Sequence, residues 1–202
     1  MDESGNLMEL AKLLSSGRNI RVIGFDDAHY ADKKRGSDVH VAGIVCSNTR
    51  FEGMLWDTIA KDGMDSTDRF INMLSTSKFA AQVQIILTDG ITFGGCNVVD
   101  IEKLNHVLEV PVVTVMRRPP DMDRFRYVVD QLPDQEERWR RVEAAGPIHE
   151  MDGFVFQVYG ELPKTTARVL RRLTDQGKVP EALRLAHLIG TAIKTGESGK
   201  RA

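Results

Sequence analysis

Apolar residues recur along this chain with two different periods, and the changes of period divide it into elements. Leu7, Leu10, Leu13 and Leu14 repeat at helical spacing within residues 5–16, and Gly17 follows as a stop. NIRVIGFD is then an apolar, β-branched run that predicts a buried strand. The charged, Gly-containing stretch ADKKRGSD breaks it, and VHVAGIVCS follows as a second strand. Asn48-Thr49-Arg50 is a short connection into FEGMLWDTIA, a third. Connections this short predict an antiparallel meander. In GMDSTDRFINMLSTSKF the period lengthens: Phe70, Ile71, Met73 and Leu74 make a helical stripe, with Ser66 or Asp65 able to cap its start.

The next units alternate. AQVQIILTDG predicts a strand ending in Asp89-Gly90, the Gly-rich turn ITFGG leads to a helix in VVDIEKLNHVL, and PVVTVM is a strand with the basic exit RRPP. Strand, helix and strand of these lengths imply a parallel, right-handed crossover. DMDRFRYVVDQL and DQEERWRRVEAA predict two helices separated by Pro133. In the second, EERWRRVE reads as an exposed face with one packed aromatic, Trp139. PIHEMDGFVFQVYG predicts a hairpin turning at Asp152-Gly153, and two last helices follow, roughly 164–176 and 180–194, divided by Gly177. The order of elements suggests an α/β fold of the ribonuclease H-like class: a mixed five-stranded sheet flanked by helices, with an extra C-terminal hairpin and helices. No repeat, low-complexity segment or long linker interrupts the sequence, so one domain over 1–202 is expected, with 1–18 as an N-terminal helical extension and 196–202 as a flexible tail.

Composition narrows the chemistry. A length of 202 residues, 42% hydrophobic and 28% charged, is that of an ordinary soluble domain, and a formal net charge of -2 gives no global attraction to nucleic acid. A polyanion site must therefore be a local basic patch or work through metal ions. The two cysteines, Cys46 and Cys96, have no metal-ligand spacing and suit a reducing compartment. MDESGNLMEL is too acidic for a signal peptide, and no apolar run approaches the roughly 18 residues of a membrane span, so a cytoplasmic protein is expected. Serine-hydrolase, P-loop and dinucleotide-binding motifs are missing from the sequence.

Acidic residues fall at informative places. Asp26, with Asp27, ends the first strand, Asp89 ends the fourth, and Asp65 and Asp68 lie at the start of the first long helix. In the expected sheet the first and fourth strands are parallel neighbours, so Asp26 and Asp89 emerge side by side and the helix start can bring Asp68 or Asp65 to the same rim. Taken singly, a helix-start Asp is a cap and a strand-end Asp-Gly is turn chemistry. Together they repel unless a cation intervenes, and hard oxygen ligands suit Mg²⁺ or Mn²⁺. Alternation along the strand turns Asp27 to the other side, as a structural neighbour. Lys33-Lys34-Arg35 follows these carboxylates, and Arg117-Arg118 ends the fifth strand, where both can hold phosphates. His106, His149 and His187 are not spaced as a ligand cluster.

The stretches RVIGFDDAHY, DGMDSTDRF, TDGITFGGCNVVDIEKLN, PVVTVMRRP and KVPEALRLAHLIG together resemble the endonuclease dU family, relatives of endonuclease V. The resemblance runs from about Asn19 to the C-terminal tail. It implies a ribonuclease H-like fold and a nuclease using divalent metal held by acidic residues. Asp26 matches the first-strand catalytic aspartate and Asp89 the aspartate of the family's DG turn. Asp68 is the match for a middle ligand that is usually glutamate, with Asp65 as its rival, and Arg117 falls where endonuclease V has a lysine. The chain departs in MLWDTIAKDGMDS, which lacks the Pro-Tyr-rich wedge of endonuclease V, and near Gly160-Glu161, where the relative has a histidine. The expectation is a nuclease with Mg²⁺ or Mn²⁺ at Asp26, Asp68 and Asp89, acting on DNA or RNA, with deaminated or damaged bases as one class of target. The alternative is a non-catalytic module that binds nucleic acid or protein.

Overall fold

The computed structural model describes residues 3–199, with side chains from residue 9 onward. The ends of the predicted N-terminal extension and tail, residues 1–2 and 200–202, lie outside the described residues. The chain runs α1 (Glu3–Ser16), β1 (Arg21–Asp27), β2 (Asp38–Ser47), β3 (Arg50–Ala60), α2 (Ser66–Ser75) and β4 (Ile85–Asp89). Two short strands, β5 (Thr92–Phe93) and β6 (Asn97–Val98), precede α3 (Ile101–Leu108) and β7 (Val112–Met116). Then come α4 (Met122–Val129), α5 (Gln135–Ala144), β8 (His149–Met151), β9 (Phe154–Tyr159), α6 (Pro163–Arg172) and α7 (Glu181–Thr195).

One sheet has the order β3-β2-β1-β4-β7-β9-β8. The meander β1-β2-β3 is antiparallel, β1, β4 and β7 are parallel, and β9 returns antiparallel to β7. Strands β3-β2-β1-β4-β7 are the five-stranded ribonuclease H-like sheet expected from the order of elements. The C-terminal hairpin continues that sheet rather than standing apart, giving seven strands. The turn ITFGG is itself a small hairpin, β5-β6, with Gly94 and Gly95 at φ 51° and 93°. Those positive angles suit residues without a Cβ.

Alternation along the strands divides the core in two. Val22, Ile44, Leu87 and Val113 face α1, α6 and α7, through Leu10, Leu170 and Leu183. Ile23, Phe25, Val41 and Ile86 face α2 and α3, through Phe70, Leu74 and Leu104. These are called the α7 face and the α2 face below. Phe25 stacks on Phe70 with ring centroids 4.3 Å apart, which seats α2 on the sheet.

Helix α7 lies unusually close to β1. A Cβ on Gly24 would sit 2.8 Å from the carbonyl carbon of Ala182 and 2.9 Å from the amide nitrogen of Leu183. At the other end, a Cβ on Gly190 would meet the Ala28 Cβ at 3.2 Å. Small residues at both ends therefore let the helix axis approach the strand, and what lies between them on α7 is held against the end of β1.

The expected exposed face of α5 needs correcting. Arg138 is fully buried, and its guanidinium donates to the carbonyls of Asp62, Gly63, Cys96 and Pro133. Five fixed donors meeting converging turn carbonyls satisfy a buried cation without a carboxylate. It ties the turns after β3 and between β5 and β6 to the start of α5.

Candidate metal centre

Strands β1 and β4 are in parallel register from Val22↔Ile85 to Phe25↔Thr88, so the next step sets Asp26 beside Asp89. Both carboxylates have the parity of Gly24 and Leu87 and project on the α7 face. On α7, Leu183, Ala186 and Gly190 are buried at helical spacing, and His187 shares their stripe. Its Nδ1 lies 3.0 Å from Asp26 Oδ2. Asp26, Asp89 and His187 each offer a ligand atom within 4.8 Å of the others. Asp26 is only 6% exposed, whereas the imidazole is about one-third exposed and opens the group to solvent on one side.

The electrostatics of this group call for a cation. Burial pushes the Asp26 carboxyl above its ordinary range, and the nearby Asp89 adds to the rise while the His187 hydrogen bond opposes it. Burial likewise raises Asp89, with Arg117 and His187 pulling it down. His187 is pushed up by its hydrogen bond to Asp26. These two tendencies conflict, because a raised imidazole presupposes an ionised Asp26. The 3.0 Å contact favours the ion pair, imidazolium against carboxylate, when no metal is bound. A divalent ion would satisfy both carboxylates and release the imidazole proton.

Asp27 has the opposite parity and a different task. Its Oδ2 accepts from the Gly94 amide at 2.5 Å, pinning the β5-β6 turn to the end of β1. Burial raises its pKa to about 6, against which the Gly94 hydrogen bond acts. A folded-state pKa above the unfolded value means that ionisation opposes folding. The stability available below pH of about 4 is therefore lost as pH rises through about 6. Asp27→Asn keeps an acceptor for Gly94 and removes that loss. In chelator, its unfolding midpoint should fall less between pH 4 and 7 than the parent's. Parallel curves for the two proteins would show that Asp27 carries no such load.

The other expected site residues divide. Arg117 follows β7 directly and is close enough to Asp89 to lower its pKa. Arg118 comes next and is exposed. Lys33, Lys34 and Arg35 occupy the exposed β1-β2 loop, with Lys33 Nζ 5.0 Å from the Tyr30 ring centroid. Asp68 does not join the carboxylates: its Oδ1 pairs with Lys103 Nζ of α3 at 2.6 Å, and its side chain is 68% exposed. Asp65 also stays away, accepting from the Ala60 amide at 3.1 Å and from Asn97 Nδ2 at 2.7 Å. Both lie at the start of α2, the helix on the opposite face of the sheet from α7. His187 takes the third place instead. Its signal in the sequence is a histidine four residues after Leu183 and three before Gly190, within the apolar stripe of an amphipathic helix.

Comparison with known proteins bears on the family and the fold. The family model described as endonuclease dU matches residues 18–194. A UPF0215 protein of Methanothermobacter thermautotrophicus is 38% identical over 184 residues, which is 89% of this chain and 90% of that protein. A crystal structure from Archaeoglobus fulgidus has a TM-score of 0.81 at 37% identity, covering 86% of this chain and 98% of that one. Endonuclease V of Ciona intestinalis, in complex with a 24mer DNA containing an inosine followed by a ribo-adenosine, has a TM-score of 0.54 at 12% identity. That likeness covers 89% of this chain and 92% of the endonuclease, and it shows a shared ribonuclease H-like fold.

Proposed function

This chain belongs to the endonuclease dU family, and on that premise we propose that it is a divalent-metal-dependent nuclease hydrolysing phosphodiester bonds of DNA or RNA. The observation that carries the reading is the meeting of Asp26, Asp89 and His187 at the ends of two parallel strands. The donors fit a dication, since a buried and a half-buried carboxylate in one place have only one imidazole and a nearby guanidinium to offset them. A bound Mg²⁺ or Mn²⁺ would supply an activated water and stabilise charge on the phosphate oxygens. Asp26 and Asp89 hold the ion. His187 fixes the Asp26 carboxylate through Nδ1 and offers its ring to the same space. Arg117, beside Asp89, binds the phosphate, and Arg118 with the Lys33–Arg35 loop follows the strand backbone.

An imidazole in the donor set favours Mn²⁺ over Mg²⁺, because nitrogen suits the transition ion better. Calorimetric titration should show tighter Mn²⁺ binding. His187→Ala should weaken it by at least about 10–100-fold, the range for losing a residue that only orients a ligand, because a ring nitrogen of the donor set goes with it. The nuclease reading itself is tested by incubating uracil-containing, inosine-containing and unmodified oligonucleotides with Mg²⁺, Mn²⁺ or chelator. Metal-dependent cleavage by the parent and none by Asp26→Asn is expected. Equal background cleavage by both would end the proposal.

One observation favours the non-catalytic reading: Asp68, the match for the middle ligand, is engaged by Lys103. A protein that binds nucleic acid with strong salt dependence, but takes up no Mn²⁺, would be such a module.

A further inference from the structure

The two carboxylates of the metal centre are held in different ways. Asp26 Oδ1 accepts from the Asp27 amide at 2.8 Å and Oδ2 meets His187 at 3.0 Å, so both of its oxygens are fixed. Among the described residues no hydrogen bond holds the Asp89 carboxylate. Arg117, His187 and Asp27 act on it as nearby charges only. The aim of Asp89 is therefore set by its backbone.

That backbone is tied just after the carboxylate. Gly90 has φ 75°, and a Cβ there would meet nothing within 4 Å, so the glycine serves the angle of the turn and not a close approach. The Gly90 amide donates to the Val115 carbonyl of β7 at 2.8 Å. The Thr88 hydroxyl donates to the Gly90 carbonyl at 2.7 Å. The second bond closes a ring over Asp89, from the side chain before it to the carbonyl after it.

Thr88 is fully buried on the α2 face, beside Phe25 of β1. Strand propensity and burial there would be met equally well by valine, the residue at three of the five positions of β7. Thr114 gives the comparison. It pairs with Thr88 across the parallel ladder and is buried to the same degree, yet its hydroxyl has no partner. Of the two threonines in this row, only Thr88 touches the turn that carries Asp89.

We infer that Thr88 is a positioning residue of the metal centre: its hydroxyl fixes the Gly90 peptide and so aims the Asp89 carboxylate, which no other hydrogen bond holds, toward Asp26 and His187. The inference rests on the metal-dependent reading and deepens it, by naming what presets the second anionic donor. Without this bond the peptide is free to rotate, and an incoming dication must order the carboxylate as it binds.

The test is calorimetric Mn²⁺ titration of the full chain, with melting curves recorded in chelator. Thr88→Val keeps nearly the same shape and removes the donor. Its Mn²⁺ affinity should fall about tenfold, the lower end of the effect of groups that orient metal ligands. Thr88→Ser keeps the donor and loses a buried methyl group, so it should melt below the parent yet bind Mn²⁺ as the parent does. That crossing separates aim from stability, because a purely structural role would make affinity follow the melting temperature. Thr114→Val, which removes the partnerless hydroxyl from the same row, should leave affinity unchanged. Parent-like binding by Thr88→Val would overturn the inference and leave the metal centre standing. So would a loss in Thr88→Ser or Thr114→Val as large as that in Thr88→Val, since packing of the row would then be the cause. A parent protein that takes up no Mn²⁺ would overturn both readings.

Discussion

Asp89→Asn should invert the protein's response to divalent metal. In chelator at neutral pH the variant is expected to melt above the parent, because burial raises the Asp89 pKa and its ionisation therefore opposes folding. The sign follows from linkage: a carboxyl whose folded pKa exceeds its unfolded one loses stability as pH rises through that interval. Adding Mn²⁺ should reverse the order. At a hundredfold excess over its dissociation constant, a ligand that binds only the folded state contributes about 2.7 kcal/mol. For a domain of this size that raises the melting temperature by about 5–10 °C. The variant, lacking one of two anionic donors, should gain little at the same concentration, and its metal-dependent cleavage should disappear. Differential scanning fluorimetry with and without Mn²⁺ reads both directions. Equal stabilisation of parent and variant would remove Asp89 from the metal centre. A variant that melts lower in both conditions would mean that Asp89 serves the fold alone.

What could be read from the sequence follows from how local each feature is. The strand pairing of Asp26 with Asp89 was legible because each ends a buried run, and a crossover between them is parallel. The opposite facing of Asp26 and Asp27 follows from the two-residue period alone, and the structure turns one to His187 and the other to Gly94. His187 was not legible in this way. It meets Asp26 across 161 positions, and the meeting depends on how closely α7 rides on β1, which no local pattern encodes. Asp68 failed for a related reason. Its place near a helix start was correct, but that helix packs on the opposite face of the sheet from α7, where its carboxylate meets Lys103. Arg138 shows the limit from the other side. A charge in a charged segment looks exposed until three separate turns bring their carbonyls to it. Element existence and strand parity are thus properties of short stretches, while the meeting of His187 with the two carboxylates is a property of packing.

That packing can be tested at a position remote from the chemistry. Gly24→Ala adds one methyl group inside β1, a change that in a free strand would favour folding by reducing the entropy of the unfolded chain, by about 0.4–1 kcal/mol. Here the new Cβ would meet the backbone of Ala182 and Leu183 at 2.8 and 2.9 Å, and backbone cannot rotate away. Helix α7 must lift from the strand. Overpacking of this kind costs about 1–3 kcal/mol, which outweighs the gain. The melting temperature should drop by several degrees in a domain of this size. The larger effect should be on metal. His187 rides one turn along the same helix, and disturbing the group that orients a metal-binding carboxylate costs about 10–100-fold in metal affinity. Calorimetry should therefore find Mn²⁺ affinity reduced although no donor has been changed. Gly190→Ala is the control, since its Cβ would meet only the Ala28 side chain and Cα at 3.2 and 3.3 Å, distances that a small shift relieves. If Gly24→Ala weakens the fold but binds Mn²⁺ as the parent does, α7 is not what places the third donor. If it lowers affinity more than Gly190→Ala does, the glycine in VIGFD is part of the metal centre's construction, as the residue that lets a histidine from the far end of the chain reach Asp26.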